Sequence, residues 1–220
     1  MKQLADGVWV LPGFPPNAIN AWVIEDVLLD AKTRWDARFI LRALRGRTIT
    51  AHAITHAHPD HQGSSHAVCE ALGIPFWVPE HDADAAENPR LIRERQPNHP
   101  IAQFMDRAFT GPGHRVDRQL HDGDEVAGFR VIDAPGHSAG HVVYFRESDR
   151  TLIVGDVLNS ADPLTMLPGL RLPKDFFTPD PAQNRVSARK LAELEPALVL
   201  FGHGPPVRDT RKFVDFCAAL

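Results

Sequence analysis

The chain has 220 residues, with 24 Lys and Arg against 28 Asp and Glu, a formal net charge of −4. Hydrophobic residues make up 43% and charged residues 24%, which excludes a disordered chain, and the mild acidity excludes the basic field of a general nucleic-acid binder. No apolar run nears the ~18 residues that span a bilayer, Asp6 stands where a secretory leader needs an apolar stretch, and Cys69 and Cys217 lie too far apart to suggest a disulfide framework; the expectation is one soluble cytoplasmic domain over residues 1–220.

In chain order, residues 7–11, 18–24 and 27–29 read as strands, rich in β-branched and aromatic side chains and broken by Pro12 and a Glu25-Asp26 turn. Residues 34–44 read as a helix with Ala37, Ile40, Leu41 and Leu44 on one stripe and Gly46 past its end. A strand over 48–55 abuts His56. A helix over 64–72 stops at Gly73, and a strand over 74–78 closes at Pro79. Residues 80–119 are polar and carry prolines at 89, 97, 100 and 112; a stretch of this kind reads as short helices and loops forming a lid insertion. Strands return at 129–134 and in a hairpin of 142–145 with 151–154. Asp180-Pro181-Ala182-Gln183 opens a helix, with Asp as cap and Pro in the first position, that ends before Pro196. A buried strand over 197–201 and a helix over 208–220, with Phe213, Val214, Cys217 and Leu220 inward, close an α/β chain.

The chemistry concentrates in Thr55-His56-Ala57-His58-Pro59-Asp60-His61, three imidazoles and a carboxylate between a strand and a helix. Neutral imidazole and carboxylate suit zinc, iron or manganese, and a loop that turns its side chains to different sides can feed two adjacent metals. Three more polar residues share one context. His137 follows Ala134-Pro135-Gly136, Asp156 follows Val154-Gly155 and His203 follows Phe201-Gly202, each past an apolar run and beside a glycine that lets backbone approach closely. Together the seven side chains are enough for two metals. Taken singly, the motif also reads as a polar turn with solvated histidines, and each later residue as a satisfied loop group.

In this order, His56-x-His58-x-Asp60-His61, His137, Asp156 and His203 resemble the metallo-β-lactamase superfamily, as do the phrases Ala134-Pro135-Gly136-His137-Ser138-Ala139-Gly140-His141 and Gly202-His203-Gly204. The resemblance runs from Asp30 to His203. It implies a four-layer αββα sandwich with metals at one edge of two facing sheets. It implies His56, His58 and His137 on one metal, Asp60, His61 and His203 on the other, and Asp156 bridging. Two zinc ions are the expected pair, with iron or manganese as alternatives. A hydroxide shared by metals about 3.5–4 Å apart, formed because bound water has a pKa of about 7, would be the nucleophile, and Asp60 the catalytic residue that orients it or takes its proton. The chain has no Gly-x-Ser-x-Gly elbow to supply a serine instead.

Within that family the carboxylate at 156 resembles the glyoxalase II and lactonase-like branches. Neither cysteine lies in a strand-end loop, so the members with a cysteine ligand do not fit. His58 stands where the di-iron redox branch carries Glu. The C-terminal helical domain with which glyoxalase II grips glutathione is expected to be missing or replaced. Tyr144, the only tyrosine, reads as core rather than as the tyrosine that lactonases place near their metals. His141 reads either as a partner orienting the site or as an ordinary strand residue, and Asp30 either as a hydrogen-bond partner of the metal-bearing loop or as a turn carboxylate. For substrate contacts, Arg171 and Lys174 offer charge for an anionic group, or a solvated loop; Met166, Leu167, Leu170, Phe176 and Phe177 offer an apolar wall. Phe104, Met105 and Phe109 close the pocket or pin the lid. His52, His66, His81, His99, His114 and His121 read as surface or structural residues.

The expected function is metal-dependent hydrolysis of an ester, thioester, lactone or amide-type bond in a small molecule, with neither nucleic acid nor membrane as partner. The alternative enzyme resembles the mononuclear iron persulfide dioxygenases, which use the His56, His58 and His137 positions with an Asp. A binding module that keeps the fold without catalysis is the third reading, disfavoured because no ligand is lost.

Overall fold

The computed structural model describes residues 1–220. Strands β1 (Lys2–Ala5), β2 (Val8–Val10), β3 (Trp22–Ile24) and β4 (Val27–Leu29) form an antiparallel meander. To it β5 (Ala51–Ala53), β6 (Phe76–Pro79) and β7 (Arg118–Leu120) add in parallel, completing a seven-stranded sheet in chain order. Parallel neighbours need crossovers. Helix α1 (Ala37–Ala43) lies between β4 and β5, α2 (Pro59–Gln62) and α3 (Ser65–Leu72) between β5 and β6, and α4 (Ala83–Glu87), α5 (Arg90–Arg95) and α6 (Pro100–Phe109) between β6 and β7. The second sheet holds β8 (Glu125–Val126), β9 (Phe129–Asp133), β10 (Val142–Arg146) and β11 (Thr151–Ile153), antiparallel in turn. A short ribbon, β12 (Asn159–Ala161) with β13 (Pro168–Arg171), follows; then α7 (Pro181–Ala192) carries the chain to β14 (Leu198–Leu200), which pairs in parallel with β11. Helix α8 (Thr210–Ala218) ends it.

Side-chain alternation sorts these strands into layers. Trp22, Ile24, Val27 and Leu29 of the first sheet meet Phe129, Val131, Tyr144 and Leu200 of the second in one buried cluster between the sheets. The alternate residues Val23 and Leu28 face outward against Ile40, Leu44 and Val68 of the α1 and α3 region. On the second sheet Val143, Phe145 and Val199 face outward against Leu191, Phe213 and Cys217. Helices α7 and α8 thus cover one outer face and α1 and α3 the other: an αββα sandwich. Both faces of each central strand are buried, which is why Trp22-Val23-Ile24 reads as a continuous apolar run rather than a half-polar one. No helix is long and apolar enough to cross a membrane.

Several boundaries differ from the sequence reading. Residues 34–36 are not yet helical. The Asp36 carboxylate accepts from Thr33 N at 3.1 Å and Thr33 Oγ1 at 2.5 Å, which holds a turn ahead of α1. Of the strand read over 48–55 only Ala51–Ala53 is strand, and beyond it Thr55 N leaves the ladder for the Asp30 carboxylate at 2.7 Å. The segment 80–119 divides in three. Ala83, Ala85, Ala86 and Ile92 pack on Ile54, Phe76 and Val78 as part of the outer helical layer. Helix α6 buries only Ala102 and Asp106. Residues from Arg118 are the edge strand β7.

Candidate metal centre

The seven motif residues converge at one end of the two sheets. His56 sits just past β5. His58 is the extended residue before the short turn α2, which Pro59 begins and which carries Asp60 and His61. His137 follows β9, Asp156 follows β11 and His203 follows β14. Ligand-type atoms cluster in three overlapping groups, His56 with His58 and His137, His56 with His61 and Asp156, and Asp60 with His61 and His203, each within 4.8 Å mutually. His56 and His61 are shared, so the groups form one continuous cage. Asp156 lies among the others: Oδ2 is 3.0 Å from His203 Nε2 and 3.6 Å from His137 Nε2, while Oδ1 is 3.6 Å from His61 Nε2.

Four of the five imidazoles are turned by a bond on the far nitrogen. His56 Nδ1 lies 2.9 Å from Thr55 Oγ1, His61 Nδ1 is 2.8 Å from Asp30 Oδ2, His203 Nδ1 is 2.5 Å from Ala18 O, and His137 Nδ1 is 3.2 Å from Thr178 Oγ1. That leaves Nε2 of all four facing the cage. His58 is reversed. Its Nδ1 faces His137 Nε2 at 2.9 Å, and its Nε2 contacts the Gln96 side chain. His56 Nε2, His61 Nε2 and Asp156 Oδ1 are buried without any hydrogen-bond partner. Orphaned buried polar atoms are costly, and these three belong to residues that form one of the ligand-type groups. Backbone geometry makes the room: a Cβ on Gly202 would stand 2.0 Å from Asp156 Oδ1. Imidazole and carboxylate in this proportion fit divalent transition metals.

The electrostatics divide the cage. Burial holds His56 and His137 far below the usual histidine range, and the neighbouring imidazoles add to it, so both are neutral and able to ligate. Burial works against charge on His61 and His203 as well. There Asp156 leads a set of carboxylates that outweighs it, raising His61 strongly and His203 to about 10. Burial alone would raise Asp60, but His61 and His203 draw it below the carboxylate range. A divalent cation would replace those protons as the counter-charge.

Asp30 is fully buried and accepts from Thr55 N at 2.7 Å and from Thr55 Oγ1 as well as meeting His61. His141 Nε2 accepts from Asp156 N at 3.0 Å, and burial pulls its pKa down to about 3, so the ring is neutral as this bond requires. Tyr144 lies in the inter-sheet core with its hydroxyl donating to Ile54 O at 2.8 Å. Three positioning residues carry no motif in the sequence. Asp82 accepts from Ala57 N at 2.9 Å, Ser138 Oγ at 2.6 Å and Gly140 N at 2.8 Å, tying the first metal-type loop to the loop of His137. Asn20 Nδ2 donates to Phe201 O at 2.8 Å and Gly204 O at 2.9 Å on either side of His203. Gln96 touches His58. The small-residue run Ala83-Asp84-Ala85-Ala86 that follows it, helix α4 in the structure, is the only hint the chain offers for Asp82.

A cavity of about 460 Å³ opens beside the cage, lined by His58, Asp60, His137, Asp156 and His203 among others. Lys174 and Phe177 line it, as do Met105 and Phe109. Arg171 and Phe176 stand elsewhere: Arg171 Nη1 is 3.2 Å from Asp162 Oδ2, and Phe176 stacks on His99 at 4.2 Å. Lys174 Nζ is 2.8 Å from the same Asp162 Oδ2. Phe104 is 68% exposed outside the cavity. Of the remaining histidines, His52 is buried, His99 caps α6, His121 meets Glu80, and His66 pairs with His114 on the surface of α3.

Residues 14–203 match the family model described as the metallo-beta-lactamase superfamily. A protein of Bacillus subtilis (strain 168) named as a probable metallo-hydrolase, YflN, is 28% identical over 195 residues, 82% of this chain and 71% of that protein. A hydroxyacylglutathione hydrolase of Albidiferax ferrireducens is 30% identical over 160 residues, 69% of this chain and 51% of its own length, so the match spans about half of that enzyme. Among solved structures, TTHA1623 in a di-iron-bound form superposes with a TM-score of 0.68 at 28% identity, covering 86% of this chain and 89% of that one.

Proposed function

The chain belongs to the metallo-beta-lactamase superfamily and is a metallo-hydrolase, and on that premise we propose that it cleaves an ester, thioester, lactone or amide-type bond of a small molecule at a dinuclear zinc site. The observation that carries the reading is the continuity of the cage: the three ligand groups share His56 and His61, and Asp156 reaches His61, His137 and His203. His56, His58 and His137 would hold one ion, Asp60, His61 and His203 the other, with Asp156 between. Such a pair supplies Lewis acidity for a carbonyl and lowers the pKa of water to about 7.

The chain's own groups do the rest. Asp60 is the carboxylate more open to the cavity, its side chain 20% exposed against 6% for Asp156. It is ionised and so able to accept a proton from attacking water. Asp156 is held by the cage and by His141 at its backbone, and would serve to hold the ions rather than to carry a proton. The apolar wall formed by Ile19, Met105, Phe109 and Phe177 suits an acyl chain and excludes water from it. The relative named for hydroxyacylglutathione hydrolysis also favours an acyl substrate. A mononuclear iron reading would leave Asp60, His61 and His203 without use.

The test is metal analysis of zinc-replete protein with a hydrolysis panel of esters, thioesters and lactones. Two zinc per chain and activity at least a hundredfold lower in Asp60→Ala are expected, in line with loss of general-base assistance. One metal per chain, or full activity in Asp60→Ala, would overturn the reading.

A further inference from the structure

Lys32 stands beside this centre in an unusual state. Its backbone φ is 52°, a left-handed conformation that suits glycine and strains a residue with a side chain. The residue is only 3% exposed, yet it lines the cavity. An ammonium carries three donors, and Lys32 Nζ uses one, to Pro12 O at 2.8 Å. No carboxylate comes within the 4.0 Å of an ion pair. Asp36 is the acid nearest in effect, but its carboxylate is occupied by Thr33 N and Thr33 Oγ1. Space at the ammonium is kept open by Gly13, where a Cβ would stand 2.7 Å from Nζ.

The contrast with the other cations is direct. Lys174 and Arg171 both rest on Asp162 and are neutralised there. Lys32 is buried, strained and without a partner of opposite charge, and buried charges are normally paired. Burial pushes its pKa down against the opposing pull of Asp36, and an arriving anion would relieve that. We propose that Lys32 binds an anionic group of the substrate, a carboxylate or its equivalent lying away from the bond that is cleaved. The inference rests on the hydrolase reading and narrows it to acyl substrates that carry such an anion.

The experiment is calorimetric binding of succinate, glutarate and adipate to the zinc-loaded protein, each compared with the monocarboxylate of the same chain length (butyrate, pentanoate, hexanoate), which has no bond for a hydrolase to cleave. For the chain length that fits, the dicarboxylate binds about tenfold tighter than the monocarboxylate, the worth of one charge-assisted hydrogen bond. Lys32→Gln keeps a donor for Pro12 O and loses the charge; Lys32→Gly loses both and suits the backbone. Both variants erase the preference, and Lys32→Arg retains most of it. An unaltered preference in Lys32→Gln, or none in the unmodified protein for any length, overturns the proposal; the second result stands whether or not a variant folds. Binding that depends on Lys32 in a protein that hydrolyses no member of the ester panel sinks the hydrolase reading alone. Hydrolysis without anion preference sinks this inference alone.

Discussion

On the sheet-edge side of the cavity, His56, His61 and Asp30 are fully buried, and the loops that carry them are tied across the fold by Asp30, Asp82, Asn20 and His141. On the side of α6, Phe104 is 68% exposed, and the helix is held by a few bonds: Trp35 Nε1 to Ala108 O at 2.9 Å, Arg34 N to Phe109 O at 3.0 Å, and Arg93 Nε to Asp106 Oδ2 at 2.6 Å. The first wall carries the metal-type ligands and the second carries apolar contacts. Ligands need placement to within about 0.5 Å, which only over-determined loops supply; an apolar wall tolerates movement, and elements with few buried groups open at low cost.

The hardest test of that division is Asp30→Ala. It removes the acceptor of Thr55 N and leaves His61 Nδ1 buried without its partner. Stability should fall by about 3–5 kcal/mol, the cost of stranding the buried donors Thr55 N, Thr55 Oγ1 and His61 Nδ1, and affinity for a bound metal by about 10- to 100-fold, as for outer partners of ligating histidines. Denaturant melts and zinc titration measure the two. A loss of less than about 0.5 kcal/mol, as for an exposed residue, would mean that this wall is not held as described.

Asp82→Ala comes next. Three donors, Ala57 N, Ser138 Oγ and Gly140 N, lose one acceptor in a buried place. About 2–4 kcal/mol of stability should go, on the usual cost of stranded buried donors. Because Gly140 belongs to the loop of His137, amide exchange should rise in residues 137–141 while α7 stays protected.

Asp82 also marks where the sequence stops being readable. His137, Asp156 and His203 are visible because each is a polar residue that ends an apolar strand, and His56 to His61 because five of its six positions bear ligand-type side chains or a turn signal. Asp82 bonds mostly to backbone, which has no sequence pattern, and it lies in a polar stretch that reads as lid. The same holds for Asn20, whose two acceptors are carbonyls. Arg171 and Lys174 look free in the sequence; their shared partner Asp162 is a neighbour only once β12 and β13 pair. In the fold, the central strands are legible by their continuous apolar runs, whereas β1, β7 and β8 are partly exposed and carry Lys2, Arg118 and Glu125 among their few residues, so no apolar run marks them.

A pH measurement sharpens the rigid side further. His52 is buried between β5 and α3, with Nδ1 3.1 Å from Leu28 O and Nε2 2.8 Å from Ser65 Oγ. Burial lowers its pKa to about 4, the Leu28 carbonyl opposing and His114 assisting. The folded protein therefore binds this proton less readily than the unfolded chain, whose histidine titrates near 6.5. The stability from the neutral ring is complete above about pH 6.5 and is lost as pH falls toward 4. Between pH 7.5 and 4.5 the stability gap between the unmodified protein and His52→Gln should narrow by about 2–3 kcal/mol. A gap independent of pH would show that His52 is not held neutral by the fold.

The smallest effect is expected on the other wall. Met105 is half-buried on α6 and lines the cavity, and it has no polar duty. Met105→Ala removes apolar contact that an acyl chain makes equally before and during reaction. Contact of that kind changes KM and leaves kcat alone. For an ester with a long acyl chain KM should rise about three- to tenfold, the worth of about one methylene removed from water, while acetate esters, which do not reach the wall, keep theirs. Steady-state kinetics on the two esters decides it. If kcat fell together with KM for the short ester as well, α6 would be positioning the reacting groups themselves, and the separation between a fixed wall for chemistry and a yielding wall for recognition would fail.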